Sequence, residues 1–335
     1  RELARRARTA AVDRDAVIRE YATRSGLPEV LLRDEIPLGF EQVRAALAGE
    51  IIGQQAAVDA AAQCVITLKA GLNDPDRPLA VLLLSGPTGT GKTALARALA
   101  RYCFGNAHER LLRLDMSEYA GADAVYRLIG GSEGRPPRWL QSIERQPFSV
   151  LLLDEIEKAA PEVFDVLLGL LDEGRISDHS GRPYDFRSAI VLLTSNLGAG
   201  QGPGIGFVTQ AEDARQHAVA AHFRPEFVNR LDAIVPFQAL GRDSMQAITR
   251  KELDDLRQRE GLQERGLALS WDEAVVSHLA ELGHDPRYGA RPLQRALDTH
   301  VLGVLAQWRL AHPELRDCQL HLGLVDGRVV VQARG

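Results

Sequence analysis

Three cysteines in 335 residues, Cys64, Cys103 and Cys318, are too few, odd in number and too far apart to form a disulfide framework. That usage suits a reducing compartment, and no cysteine or histidine spacing suggests a metal site. No apolar run approaches the roughly 20 residues that span a bilayer. The charged start Arg1-Glu2-Leu3-Ala4-Arg5-Arg6 also lacks the apolar stretch of a secretion signal. The expectation is a cytoplasmic protein with no membrane partner. Net charge is small too: −5 argues against nucleic-acid binding driven by total charge, although a local basic strip could hide inside that average. Aromatic residues make up only 5%.

What is present describes a globular chain. Hydrophobic residues at 45% and charged residues at 25% exclude wholesale disorder, and the length favours two domains or one large domain with a satellite. Five short apolar runs, Ala80 to Ser85, Leu111 to Leu114, Ser149 to Leu153, Ala189 to Thr194 and Ala233 to Phe237, are separated by helix-length segments. Continuous apolar strands alternating with amphipathic helices predict an α/β fold, a five-stranded parallel sheet sandwiched by helices, with functional loops after the strands' carboxyl ends. Beyond Phe237 the pattern is helical over Asp243 to Glu260, Ser270 to Leu282 and Ala290 to Leu310. Gln319 to Gln332 then alternates around Asp326-Gly327 like a hairpin, giving a small, mostly helical domain with a terminal β ribbon. The expected domains are a helical connector over 1–38, a nucleotide-binding domain over 39–238 and a small domain over 239–335.

The segment Gly86-Pro87-Thr88-Gly89-Thr90-Gly91-Lys92-Thr93 follows the first predicted strand and opens a helix, the context a phosphate-binding loop requires. Its glycines turn backbone N–H groups toward phosphate oxygens, and the helix N-terminus adds positive potential. Lys92 neutralises the β and γ phosphates, and Thr93 can ligate Mg²⁺. Asp154 and Glu155 end the buried run Val150 to Leu153, where an aspartate can hold hydrated Mg²⁺ and a glutamate can polarise water. Isolated, such a pair would be two solvated acids at a turn. Thr194-Ser195-Asn196 puts a polar amide at another strand end, where Asn196 either orients water or simply forms a turn. ATP and Mg²⁺ are the implied cofactors.

Taken together these residues resemble the Clp branch of AAA+ ATPases, in particular the second ATPase module of ClpA, ClpB and ClpC type proteins. Ile51-Ile52-Gly53-Gln54 looks like that family's adenine-contacting box, Leu114 to Tyr119 like its second-strand signature, and Leu153 to Lys158 like its Walker B extension. Phe223 to Asp232 and Tyr288 to Arg295 are similarly close. The resemblance implies that Arg230 is an arginine finger reaching a neighbouring subunit's γ-phosphate and that Arg291 senses nucleotide from the small domain. It also implies a ring, usually a hexamer, acting on a protein client. The amino end looks like the connector after a first ATPase ring, which suggests a longer parent polypeptide; a single-ring protein that kept an old connector is the alternative.

The resemblance fails where relatives carry a Gly-Tyr-Val-Gly pore loop, since this chain reads Gly131-Ser-Glu-Gly-Arg-Pro-Pro-Arg138-Trp139. An aromatic paddle grips polypeptide of any sequence, whereas charge and proline offer less apolar grip. Arg138 and Trp139 are the candidate substitutes, with Trp139 read either as a paddle or as packed on the helix that begins there. Gly174 to Tyr184 resembles a lower pore loop, or else is a solvated hairpin. Ile205-Gly206-Phe207, in the flexible-looking stretch Gly198 to Gly206, is like the tripeptide with which some Clp ATPases dock on a ClpP peptidase; the other reading folds Phe207 back into the protein. The expected function is an ATP-driven protein remodeller. The alternative is an ATP-regulated assembly or signalling scaffold, and nucleic-acid remodelling rests on Arg135 and Arg138 alone.

Overall fold

A computed structural model describes residues 13–105, 107–130, 136–198, 217–285 and 288–334. The chain divides into two compact units, one containing Gly91–Phe237 and the residues up to Gly86, the other containing Pro87–Thr90 and Gln238–Gly335.

The first unit is built on five strands: β1 (Ala80–Ser85), β2 (Leu111–Asp115), β3 (Ser149–Asp154), β6 (Ala189–Ser195) and β7 (Ala233–Pro236). They lie in the order β2-β3-β6-β1-β7, every neighbouring pair parallel. The three inner strands β1, β3 and β6 are buried throughout and apolar without alternation because both faces are covered, whereas the edge strands β2 and β7 are only partly buried. Val81, Leu83, Leu151, Leu153, Val191 and Leu193 point to one side, where they meet α5 (Ala124–Ile129), α6 (Arg138–Arg145) and α7 (Pro161–Glu173). Leu82, Leu84, Val150, Leu152, Ile190 and Leu192 point to the other, packing on α2 (Phe40–Glu50), α3 (Gln55–Ala70) and α4 (Lys92–Phe104). Each fully buried leucine contributes roughly 1.5–3 kcal/mol. A short antiparallel pair, β4 (Arg175–Ser177) with β5 (Pro183–Asp185), projects between α7 and β6. Ahead of α2, helix α1 (Arg14–Ser25) begins at an Asp13 cap that accepts from Ala16 N and ends at left-handed Gly26.

The second unit has its own core around Leu253, Val275, Leu279, Leu297 and Val301. Its helices α8 (Arg242–Arg257), α9 (Glu273–Leu282), α10 (Arg291–Leu297) and α11 (Gly303–Ala311) include a π-helical turn over Asp298–Leu302. The expected terminal hairpin is there as β9 (Gln319–Val325) and β10 (Arg328–Arg334), but it is extended to three strands by β8 (Ala268–Trp271), parallel to β9. Ser270 and Trp271, expected to be helical, belong to that strand; α9 starts only after Asp272.

Candidate nucleotide site

Strand β6 pairs with both β1 and β3, so the loops leaving these three strands open at one edge of the sheet. Gly86 follows β1 with φ 155° and its N–H donates to Ser195 O at 3.1 Å. A Cβ there would sit 2.3 Å from Phe237 O, so only glycine fits the start of the loop. Gly91 (φ 105°) delivers the chain into α4, whose first residue is Lys92. Between them Thr90 is buried, and its hydroxyl donates to Pro87 O at 2.8 Å. Thr93 lies in the first turn of α4.

Lys92 is also buried, and its Nζ donates to Gly86 O (2.5 Å) and to Asn196 Oδ1 (3.0 Å). The Asn196 amide Nδ2 lies 3.5 Å from Glu155 Oε1, so one side chain spans the distance between the lysine and the glutamate. Asn196 is fixed in turn by its backbone N–H donating to Glu157 Oε1 at 3.0 Å. Glu155 holds φ 55°, a left-handed conformation unusual for a residue with a side chain. That backbone is tied down by Glu155 N donating to Thr194 Oγ1 at 2.9 Å. The same hydroxyl donates to Asp154 Oδ1 at 2.5 Å, and Arg113 engages Oδ2. Lys158 forms an ion pair with Glu155 that pushes its ammonium pKa up from the ordinary lysine range.

Thus Gly86, Gly91, Lys92, Thr93, Asp154, Glu155 and Asn196 lie at one edge of the first unit. Thr194, Arg113 and Lys158 are additions that sequence reasoning did not single out. A charge at Arg113 within the run Leu111-Leu112-Arg113-Leu114 was an available signal. Asp154 and Thr93 offer hard oxygen donors of the kind Mg²⁺ prefers, and the buried Lys92 ammonium at the start of α4 suits a phosphate, so the residues fit the implied Mg²⁺ nucleotide.

The other expected residues belong to other segments of the chain. Ile51 and Gln54 are buried at the start of α3, with Ile52 and the left-handed Gly53 (φ 74°) between them. Arg230 Nε lies 3.0 Å from Asp172 Oδ1, an ion pair without hydrogen-bond alignment, while Arg230 O accepts from Arg77 Nη2 at 2.6 Å. Arg77 precedes β1, and neighbouring Asp232 pairs with Val81, so Arg230 sits by the amino ends of the strands. The six residues of β1 separate that end from Gly86, roughly 17 Å along the sheet. Arg291 opens α10 of the second unit and is exposed.

At the segment expected to line a pore, Arg138 is exposed, but Trp139 is buried: its Nε1–H donates to Leu128 O at 2.9 Å and its ring lies 5.6 Å from Phe186. Of the two readings of Trp139, the packed one describes the structure. Residues 131–135 and the tripeptide Ile205-Gly206-Phe207 lie outside the described residues. Gly174 to Tyr184 is the ordered β4–β5 hairpin, with Asp178 buried inside it and Arg175, His179 and Arg182 exposed. No described helix is long and apolar enough to cross a membrane.

A parallel sheet in this order, with a phosphate loop on β1, paired acids on β3 and a polar amide on the strand between, defines a P-loop ATPase of the AAA+ class. Residues 77–234 match the family model "AAA domain (Cdc48 subfamily)", and residues 240–317 match "C-terminal, D2-small domain, of ClpB protein". The chain is 45% identical over 271 residues to a protein named Chaperone protein ClpB from Pseudomonas putida, covering 78% of this chain and 31% of that protein. It is 37% identical over 332 residues to one from Vibrio cholerae, covering 94% and 38% respectively. A third, from Dichelobacter nodosus, is 42% identical over 284 residues, covering 82% and 32%. The chain belongs to the Clp family of AAA+ ATPases, resembling the second ATPase module, and spans about a third of the length of these relatives.

Proposed function

We propose that this chain hydrolyses ATP within a ring of copies, a hexamer by family analogy, and couples hydrolysis to remodelling of protein clients. The observation that carries the reading is the connected set Lys92, Asn196, Glu155, Thr194 and Asp154 at the carboxyl ends of β1, β3 and β6. Backbone N–H groups of Gly86 to Thr93 and the Lys92 ammonium hold the phosphates. Glu155 takes the role of base toward the attacking water, and Asn196, touching both Lys92 and Glu155, orients it. Thr93 and Asp154 hold Mg²⁺, which when bound neutralises charge on the β and γ phosphates. Ile51 to Gln54 contact the adenine, and Arg291 reports nucleotide to the second unit.

Arg230 acts from a neighbouring copy. Its place by the amino ends of the strands, about a strand's length from Gly86, supports that reading, because the side chain cannot cover the distance to its own chain's loop. Subunit mixing tests it. Arg230→Ala and Glu155→Ala chains are each expected to be inactive, while an equimolar mixture regains about a quarter of the parent turnover, since each copy supplies what the other lacks. A fully active monomer, or a mixture as inactive as its components, rejects the shared site.

The rewritten pore segment and the burial of Trp139 favour a second reading, a nucleotide-regulated assembly scaffold. Unfolding of a tagged fluorescent protein by the parent but not by Glu155→Gln supports the remodeller; nucleotide-dependent assembly with no unfolding of any client supports the scaffold. Partnership with a ClpP-type peptidase through Ile205 to Phe207 is tested by retention on a peptidase ring, with Phe207→Ala expected to abolish it.

A further inference from the structure

Asp154 is engaged on both oxygens from within its own chain. Thr194 Oγ1–H donates to Oδ1 at 2.5 Å, and Arg113 gives Oδ2 two bonds, from Nη2 at 2.6 Å and Nε at 3.0 Å. The two partners differ in kind. Thr194 lies on the central strand β6 and is buried, so its bond is part of the packed sheet. Arg113 comes from β2 at the edge of the sheet, and about half of its side chain (49%) is exposed while that of Asp154 is nearly buried (12%). A two-bonded guanidinium on a shielded carboxylate is a strong charge-assisted contact, yet its exposed stem leaves it a path into solvent.

The oxygen that Arg113 occupies belongs to the carboxylate assigned above to the metal side. A carboxylate oxygen that accepts two N–H bonds has no lone pair left for a divalent cation's water, and a fixed positive charge there repels the cation directly. We infer that Arg113 is a displaceable counter-ion of Asp154, a positioning residue that holds the carboxylate in place and must release it as Mg²⁺ enters, so that it sets the Mg²⁺ concentration at which the nucleotide site loads. The inference rests on the reading of Asp154 as the metal-side acid. It makes Arg113 a brake on loading: at low Mg²⁺ the arginine wins, and once the cation holds Asp154 the arginine is free to move into solvent.

The test is a Mg²⁺ titration of fluorescent ATP-analogue binding, read by anisotropy, for the parent, Arg113→Ala, Arg113→Gln and Asp154→Asn chains. Arg113→Gln removes the charge but keeps one donor, so a folded variant remains if the alanine leaves Asp154 too exposed to repulsion from its neighbours. Removing the charge is expected to lower the Mg²⁺ midpoint about three- to tenfold while leaving binding in excess chelator unchanged. Asp154→Asn is expected to remove the Mg²⁺ response. An unchanged or raised midpoint in both Arg113 variants, with Asp154→Asn unresponsive, overturns the role of Arg113 alone. A normal Mg²⁺ response in Asp154→Asn rejects the metal-side reading and the inference with it.

Discussion

Thr194 concentrates more of the site's geometry than any residue that a motif would flag. One hydroxyl accepts from Glu155 N and donates to Asp154 Oδ1, so it links the two acids to each other and to β6. It also holds Glu155 at φ 55°, a backbone position that costs on the order of 1 kcal/mol and persists only when neighbours enforce it. Thr194→Val keeps the shape and removes both bonds, leaving a buried donor and a buried carboxylate oxygen short of partners. The expected loss is about 1–3 kcal/mol of stability by denaturant titration. Turnover should fall further than nucleotide binding, because Lys92 and the loop are untouched while Glu155 is released. Unchanged turnover in a folded Thr194→Val chain rejects this account. The thiols make a simpler case at the same scale. Burial pushes the Cys64 thiol up to about 12 and the Cys103 thiol well above its usual range, so alkylation of the folded chain at pH 8 should label Cys318 alone. Sequence had placed Asp154, Glu155 and Lys92 because motifs mark residues that touch ligand. It passed over Arg113 and Thr194 because their importance comes from register across strands, which no local pattern records.

Among elements, β1, β3 and β6 were legible because six or seven mostly apolar residues with both faces buried leave a continuous signal, and the shorter, partly buried β2 and β7 because their apolar residues stand between helix-length segments. Of the short strands, β4 and β5 entered only as one of two readings of Gly174 to Tyr184, a hairpin, and β8 not at all, since three or four residues with mixed exposure carry no period. Helix α6 shows the limit from the other side. Trp139, Leu140 and Ile143 share its buried face, and the packed reading of Trp139 came from its place at the start of a helix, but the partner Phe186 arrives from beyond β5 and is invisible locally. Trp139→Ala should therefore cost about 3–5 kcal/mol in unfolding experiments, as loss of a buried core ring does. The β4–β5 hairpin is pinned by Asp178, which accepts from the Ser180 hydroxyl and backbone, from Arg182 N and from Tyr184 OH. The Ser180 hydroxyl bond above all, with the backbone and Tyr184 bonds, holds the carboxyl below the usual carboxylate range although burial opposes it. A depressed folded pKa means that the stabilisation is present above the unfolded value, near pH 4, and is lost as pH falls through the folded one. The gap in thermal midpoint between parent and Asp178→Asn should accordingly be widest near neutrality and shrink below pH 4.

For the molecule as a whole, the proposed function assigns binding and hydrolysis to different residues, and the difference has a consequence in concentration. Gly86, Lys92, Thr93, Asp154 and Glu155 come from one chain, so on that assignment nucleotide affinity belongs to a single copy. Arg230 belongs to the opposite end of the same sheet, where it is tied to Asp172 and Arg77. If a neighbouring copy supplies the finger, dilution separates the two properties. Turnover per chain should fall steeply once the concentration drops below that of ring assembly, while fluorescent nucleotide binding per chain stays constant. Arg230→Ala should lose turnover at every concentration and keep the binding curve of the parent. Weakening the intrachain hold with Asp172→Asn should leave binding unchanged and raise turnover near the assembly threshold, because less of the neighbour's attraction is spent on freeing the arginine. Turnover that holds constant on dilution into the monomeric range is the outcome that excludes a shared site, since one chain would then be completing its own chemistry across the full length of β1.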